Sequence, residues 1–168
     1  MTDRSEKQAR FTTTNDHRLR NRLLVAALVV LAAGLLGWGL SRHATGSRPL
    51  VKAEQGLITL PLAQVSDGQA HFYRYQSGAT SLAFFVVRGS DSRIRVALDT
   101  CDACYSAKKG YRQQGEVMIC NNCEQQFPTV KINEVSGGCN PVAVPIRLSG
   151  EQLTIASADL DRGARYFQ

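Results

Sequence analysis

A chain of 168 residues has room for one domain with a modest core plus extensions, which excludes a multidomain enzyme. Its net charge of +6 would suit a nucleic-acid partner if spread along a binding face, but the excess gathers at the N-terminus. A membrane explains that placement better, and no nucleic-acid partner is expected.

Residues 1–22 are polar, with Arg4, Lys7, Arg10, Arg18, Arg20 and Arg22 against Asp3, Glu6 and Asp16. They show no apolar periodicity to offset the entropy of ordering and read as a disordered, basic cytoplasmic tail. Residues 23–40, LLVAALVVLAAGLLGWGL, carry no charge, and at helical rise they span about 27 Å, close to the hydrocarbon thickness of a bilayer. A single transmembrane helix is expected there, with Trp38 at an interface. The arginines before it outweigh Arg42, His43 and Arg48 after it, so the N-terminus faces the cytoplasm and the rest is exported across a bacterial inner membrane. A cleaved signal peptide is the rival, but GLSRHATGS after Trp38 offers no clean small-x-small cleavage site. Residues 41–55, rich in Arg, Gly and Ser with Pro49, read as a tether.

From Gly56 to Gln168 the pattern is strands and turns. LITLPL and AHFYRYQ are divided by the turn signal Ser66-Asp67-Gly68; SLAFFVVRG and RIRVALD follow, and together they read as a β-meander. In the last of these, Arg93 and Arg95 alternate with Ile94 and Val96, which predicts a half-buried strand. GEVMIC, VAVPIRL and QLTIAS supply further strands. No stretch after residue 41 has convincing helical periodicity, so a mainly β domain is expected.

All five cysteines lie between residues 101 and 139. Cys101-x-x-Cys104 and Cys120-x-x-Cys123 flank residues 105–119, the spacing of a four-thiolate metal template. Two such turns, brought face to face by an intervening hairpin, would cage zinc, a single iron or an iron-sulfur cluster, because soft thiolates select these over hard cations. Disulfides are the rival in an oxidising compartment, though an odd count leaves one thiol over and Cys-x-x-Cys bridges close short loops. A redox-active thiol pair is the third possibility. Cys139, in the loop SGGCNP, is open between a fifth, exchangeable ligand, a disulfide partner and a buried apolar thiol. Phe127, four residues after Cys123, is placed to cover the site.

His71 lies among Phe72, Tyr73 and Tyr75, with no second histidine in the domain to complete a metal site, and a structural role suits it better. His17 and His43 fall in the tail and tether. Lys108, Lys109, Arg112 and Lys131 flank the cysteines and could steer an acidic redox partner, although solvated surface is the plainer account. No Ser/His/Asp order, phosphate loop or paired carboxylates point to a stand-alone enzyme.

The order of strand, SDG turn, strands, first cysteine pair, hairpin, second pair, Phe, Gly-Gly, Pro and final hairpin resembles the Rieske iron-sulfur domain, with both histidine ligands replaced by cysteine. That likeness implies a small Rieske-like β-sandwich or meander with two cysteine-bearing hairpin turns. Thiolates in place of imidazoles would lower the potential of a two-iron cluster and make zinc a stronger contender. Over roughly residues 56–160, the motifs LPLAQVSDGQAHFY, CDACYSAKKGYRQQG, ICNNCEQQFP and INEVSGGCNP resemble the bacterial FtrD-like family of membrane iron-sulfur containing proteins. The resemblance implies a membrane-bound module of electron transfer or metal handling that supports iron transport, with an iron permease or redox partner at the membrane. Its cofactor would be an iron-sulfur cluster, or alternatively zinc, on Cys101, Cys104, Cys120 and Cys123. A structural zinc-binding interaction domain and a thiol-disulfide or copper relay are the competing functions.

Overall fold

The computed structural model describes residues 20–26 and 48–168, in two units. Residues 20–26 are helical. Most of the expected membrane span 23–40, most of the expected tail and residues 41–47 of the expected tether lie outside the described residues. Among the described residues no helix is long and apolar enough to cross a membrane.

The second unit, Arg48–Gln168, is mainly β. Its central layer is a five-stranded sheet in the order β1 (Leu50–Val51), β3 (His71–Ser77), β4 (Thr80–Arg88), β5 (Ile94–Cys101), β9 (Pro141–Val144). Only β1 pairs in parallel, with β3; the other neighbours are antiparallel. A second sheet sets β11 (Gln152–Ala156) between β10 (Arg147–Ser149) and β2 (Leu57–Pro61). A third sets β7 (Val117–Cys120) between β6 (Tyr111–Gln114) and β8 (Gln126–Pro128). A five-residue helix, α1 (Ser157–Asp161), and a 3-10 turn at Ala164–Phe167 end the chain.

Strand alternation explains the layering. Leu82, Phe84 and Val86 of β4, with Val96 and Leu98 of β5, pack toward Ile58, Leu60, Leu153 and Ile155 of the β10-β11-β2 sheet. The intervening Phe85, Val87, Ala97 and Cys101 face the opposite way and pack with Tyr111, Met118 and Cys120 of the β6-β7-β8 sheet. Both faces of β4 and β5 are thus covered. The half-buried strand expected at residues 93–99 is therefore buried from Arg95 onward, and Arg95 is only 5% exposed. A charge is tolerated there because Arg95 donates from Nη1 and Nη2 to the two Asp91 carboxylate oxygens at 2.9 and 2.8 Å.

Three expectations change in detail. LITLPL does not join the meander: β2 pairs with β11, reached from the far end of the chain. VAVPIRL is not one strand but two, β9 in the central sheet and β10 in the next, parted at Pro145 and Ile146. Residues 48–55, read as tether, begin the compact unit and supply β1. The mainly β class expected from Gly56 onward is present.

Arg95 also sets an acid limit on stability. Its hydrogen bonds hold the Asp91 carboxyl down at about 2, below the ordinary 3.8. The pair's contribution is therefore present above about 3.8 and fades as the pH falls toward 2. Thermal melts across this window are expected to show that fall in the parent protein. Asp91→Asn melts lower at pH 7 and has a flatter acid limb, since the lost ion pair no longer titrates.

Candidate metal centre

Three loops meet beside the gap between the central sheet and the β6-β7-β8 sheet. The first leaves β5 at Cys101, runs through Cys104 and ends in a 3-10 turn at Tyr105–Ala107. It crosses from one sheet to the next, so it is not the hairpin turn expected of it. The second, Cys120-Asn121-Asn122-Cys123, is a true hairpin turn between β7 and β8. It closes with Glu124 N–H donating to the Cys120 carbonyl at 2.9 Å. The third is the Gly137-Gly138-Cys139 loop before β9, where both glycines take positive φ, 87° and 60°.

Backbone ties hold these loops together. Asn121 N–H donates to the Gly110 carbonyl at 2.9 Å, and its side-chain amide to the Lys109 carbonyl at 2.9 Å, stapling the second loop to the end of the first. Ala103 N–H donates to the Gly138 carbonyl at 3.0 Å, joining the first loop to the third. The Tyr111 hydroxyl donates to the Cys139 carbonyl at 2.6 Å. At the rim, Arg112 pairs with Glu124 and donates to the Asn121 side chain, and Lys131 pairs with Glu134. Lys108 and Lys109 are exposed beside the first loop.

The result brings together all five cysteines. Cys101, Cys104 and Cys120 have sulfurs within 4.8 Å of one another, as have Cys104, Cys123 and Cys139. The two triads overlap at Cys104, and Cys139 is a member of the second. Cys101 and Cys120 are buried, Cys104 and Cys139 half-buried and Cys123 exposed. Each triad could hold a metal ion. The donors are all soft sulfur, without imidazole or carboxylate, which suits zinc, iron or an iron-sulfur cluster.

The environment grades the thiols. Cys104 is drawn down to about 7, first by a hydrogen bond from the Asn122 side chain and then by the Cys139 thiol. Burial pushes Cys120 up to about 11, although the backbone N–H groups of Cys123 and Asn122 work the other way. Cys139 is raised, chiefly by its contact with Cys123. Tyr111 is raised by burial and by the nearby Cys101 sulfur.

Residues 65–167 match the family described as membrane iron-sulfur containing protein, FtrD-like. The chain belongs to the FtrD-like family. The matched span takes in all five cysteines and most of the compact unit. A comparison with curated proteins returns no match.

Sequence reasoning missed several supports of this FtrD-like site. Asp99, buried two residues before Cys101, accepts a hydrogen bond from Tyr111 N–H at 2.6 Å and meets the Arg48 guanidinium at 2.7 Å. Burial raises it to about 6, against the pull of Arg48 and of the Tyr111 N–H. Asp102 accepts from the Tyr166 hydroxyl at 2.5 Å, and Tyr166 stands edge-on to Tyr105, so the C-terminus braces the first loop. Asn122 lies inside a Cys-x-x-Cys motif, the one signal that could have marked it. Phe127 does pack with this cluster, edge-on to Tyr111. His71 does not join it: its Nε2 lies 2.7 Å from Asp67 Oδ1.

Gly110 tests how tightly the supports are set. It has φ of +63°, and a Cβ there would lie 2.5 Å from both Asp99 carboxylate oxygens. Gly110→Ala is expected to lower stability by about 1–3 kcal/mol in urea unfolding, as for other non-glycine residues forced into the left-handed region. The same variant is expected to label faster with iodoacetamide at Cys101 and Cys120 in metal-free protein.

Proposed function

We propose that this chain is a single-pass, membrane-anchored module whose exported FtrD-like domain carries a thiolate-bound iron-sulfur centre and supports iron transport by electron transfer or metal handling. The observation that carries the reading is the convergence of five sulfurs from three separate loops, two of them buried at the base. Cysteines scattered for packing alone have no reason to share one place. The apolar residues 23–40 behind Arg18, Arg20 and Arg22 support an anchor with a cytoplasmic N-terminus in a bacterial inner membrane. The family description supports the iron-sulfur assignment. A permease or redox partner in the same membrane follows from the role in transport.

When bound, an iron-sulfur group stores and releases an electron, at a potential set by its ligands, by hydrogen bonds to sulfur and by exposure to solvent. The chain's part is to hold the sulfurs and shape their surroundings. Cys104 N–H donates to the Cys101 sulfur at 3.2 Å, and Asn122 supplies donors to Cys104 and Cys120. Phe85, Tyr111, Met118 and Phe127 keep water from the buried side.

Anaerobic purification of the full chain, followed by metal and acid-labile sulfide analysis with absorption and electron paramagnetic spectra, tests this. Iron with labile sulfide is expected, lost in Cys101→Ser and Cys120→Ser and retained in Lys108→Ser. A colourless protein holding zinc and no sulfide would replace the reading with a structural zinc domain.

A further inference from the structure

We propose that the five sulfurs form two metal positions of unequal lability: a buried one on Cys101, Cys104 and Cys120, and a solvent-facing one on Cys104, Cys123 and Cys139 that takes up and releases a thiophilic cation. The inference rests on the reading that these cysteines bind metal. It adds that the centre has a resident position and an exchange position, joined through the Cys104 thiolate.

The two triads differ in three independent ways. Burial separates them first: Cys101 and Cys120 are 1% and 2% exposed, whereas Cys123 is an exposed residue. Ligand exchange needs an incoming donor to reach the ion, and only the second triad offers that approach. The donors around the sulfurs separate them next. Cys101 receives the Cys104 N–H at 3.2 Å, and the Cys120 sulfur is faced by the N–H groups of Asn122 and Cys123. Those N–H groups are already placed to donate to sulfur that binds an ion, so the inner triad is preorganised. In the outer triad the sulfurs lie against one another, Cys123 to Cys139 at 3.3 Å and Cys104 to Cys139 at 3.5 Å, with the Asn122 side chain donating to the shared Cys104.

Attachment is the third difference. Cys101 and Cys120 end strands, so their positions follow the sheets. Cys139 sits in a loop tied by backbone groups, its own carbonyl to Tyr111 and that of Gly138 to Ala103. The ties fix where the loop runs, and they are made by its backbone, not by the Cys139 side chain.

Each thiol that binds gives its proton to solvent, with no change of oxidation state. Cys104 serves both ions because it alone belongs to both triads. An ion entering at the outer face therefore shares a ligand with whatever the inner position holds.

The test uses Zn2+ as the probe on the full chain as isolated under anaerobic conditions in detergent. After Zn2+ is added and the excess removed, the zinc withdrawn by a chelator of moderate affinity is counted per chain, and the metal that resists withdrawal is counted separately. One labile equivalent is expected in the parent and none in Cys139→Ser or Cys123→Ser, with the resistant metal unchanged. Cys123 is exposed, so its variant remains informative should Cys139→Ser fold poorly. After withdrawal, iodoacetamide should label Cys123 and Cys139 well before Cys101 and Cys120. No labile equivalent in the parent, or one that survives both substitutions, overturns the exchange position while leaving the metal centre intact. A Cys123–Cys139 disulfide found by mass spectrometry in the anaerobic protein also overturns it. Absence of resistant metal in the parent would instead remove the metal-centre reading.

Discussion

The buried carboxylate of Asp99 is the constraint on which the site depends. It lies on β5 just before the strand gives way to the first cysteine loop, and it joins pieces of chain far apart in sequence. Tyr111 N–H, at the start of β6, donates to one oxygen. Arg48, the first residue of the compact unit, meets the other as an ion pair and lays its guanidinium over the Phe72 ring at 5.2 Å. A buried carboxylate without partners would be costly, so these contacts are obligatory and not decorative. They set the small sheet's first strand against β5, and so decide where Cys120, across the β6-β7 ladder from Tyr111, comes to rest. Gly110 is required at the same spot because no side chain fits between its backbone and the carboxylate.

The three-layer arrangement explains how one short domain affords both a firm core and a sulfur-lined rim. The face of the central sheet that packs on the β10-β11-β2 sheet is closed by large apolar residues, Phe84, Leu82, Leu98 and Ile155 among them. The face toward β6, β7 and β8 is narrower and mixes aromatic rings with cysteine. Thiols pack there as small apolar groups would, so the two buried cysteines fit the core with or without a role in binding. Their role shows at the layer's edge, where the same packing ends in Cys104, Cys123 and Cys139.

Most of the strands were legible because local pattern carries them: AHFYRYQ, SLAFFVVRG and QLTIAS each lie within a residue or two of β3, β4 and β11. Pairing was less so. β2 finds its partner in β11, and nothing local in LITLPL distinguishes that mate from the adjacent β3. Alternation misled at Arg95, since a polar residue on a strand ordinarily faces water and this one is buried against Asp91. The spacing of the cysteines pointed to the site, but spacing describes loops one at a time. It could not show that Cys139 would stand 3.3 Å from Cys123, because that approach depends on the Ala103–Gly138 and Tyr111–Cys139 hydrogen bonds between distant segments. Asp99, Arg48 and Tyr166 left no local mark, as ion pairs and hydrogen bonds across sheets obey no sequence period.

The two Cys-x-x-Cys loops share a motif and differ in how they are held. The first is gripped on both sides: Asp99 and Tyr111 fix its root, while Tyr166 reaches Asp102 from the C-terminal turn and is itself held by Arg165, whose side chain donates to the Tyr166 hydroxyl at 2.9 Å. The second is a short hairpin whose outer end reaches water at Cys123, steadied at the rim by Arg112 through Asn121 and Glu124. Surface ion pairs hold weakly compared with buried polar contacts. The first loop therefore acts as the fixed wall of the site and the outer end of the second as the wall that can give. Cys104, at the end of the fixed loop, faces the yielding one, and that position makes its sulfur common to both triads.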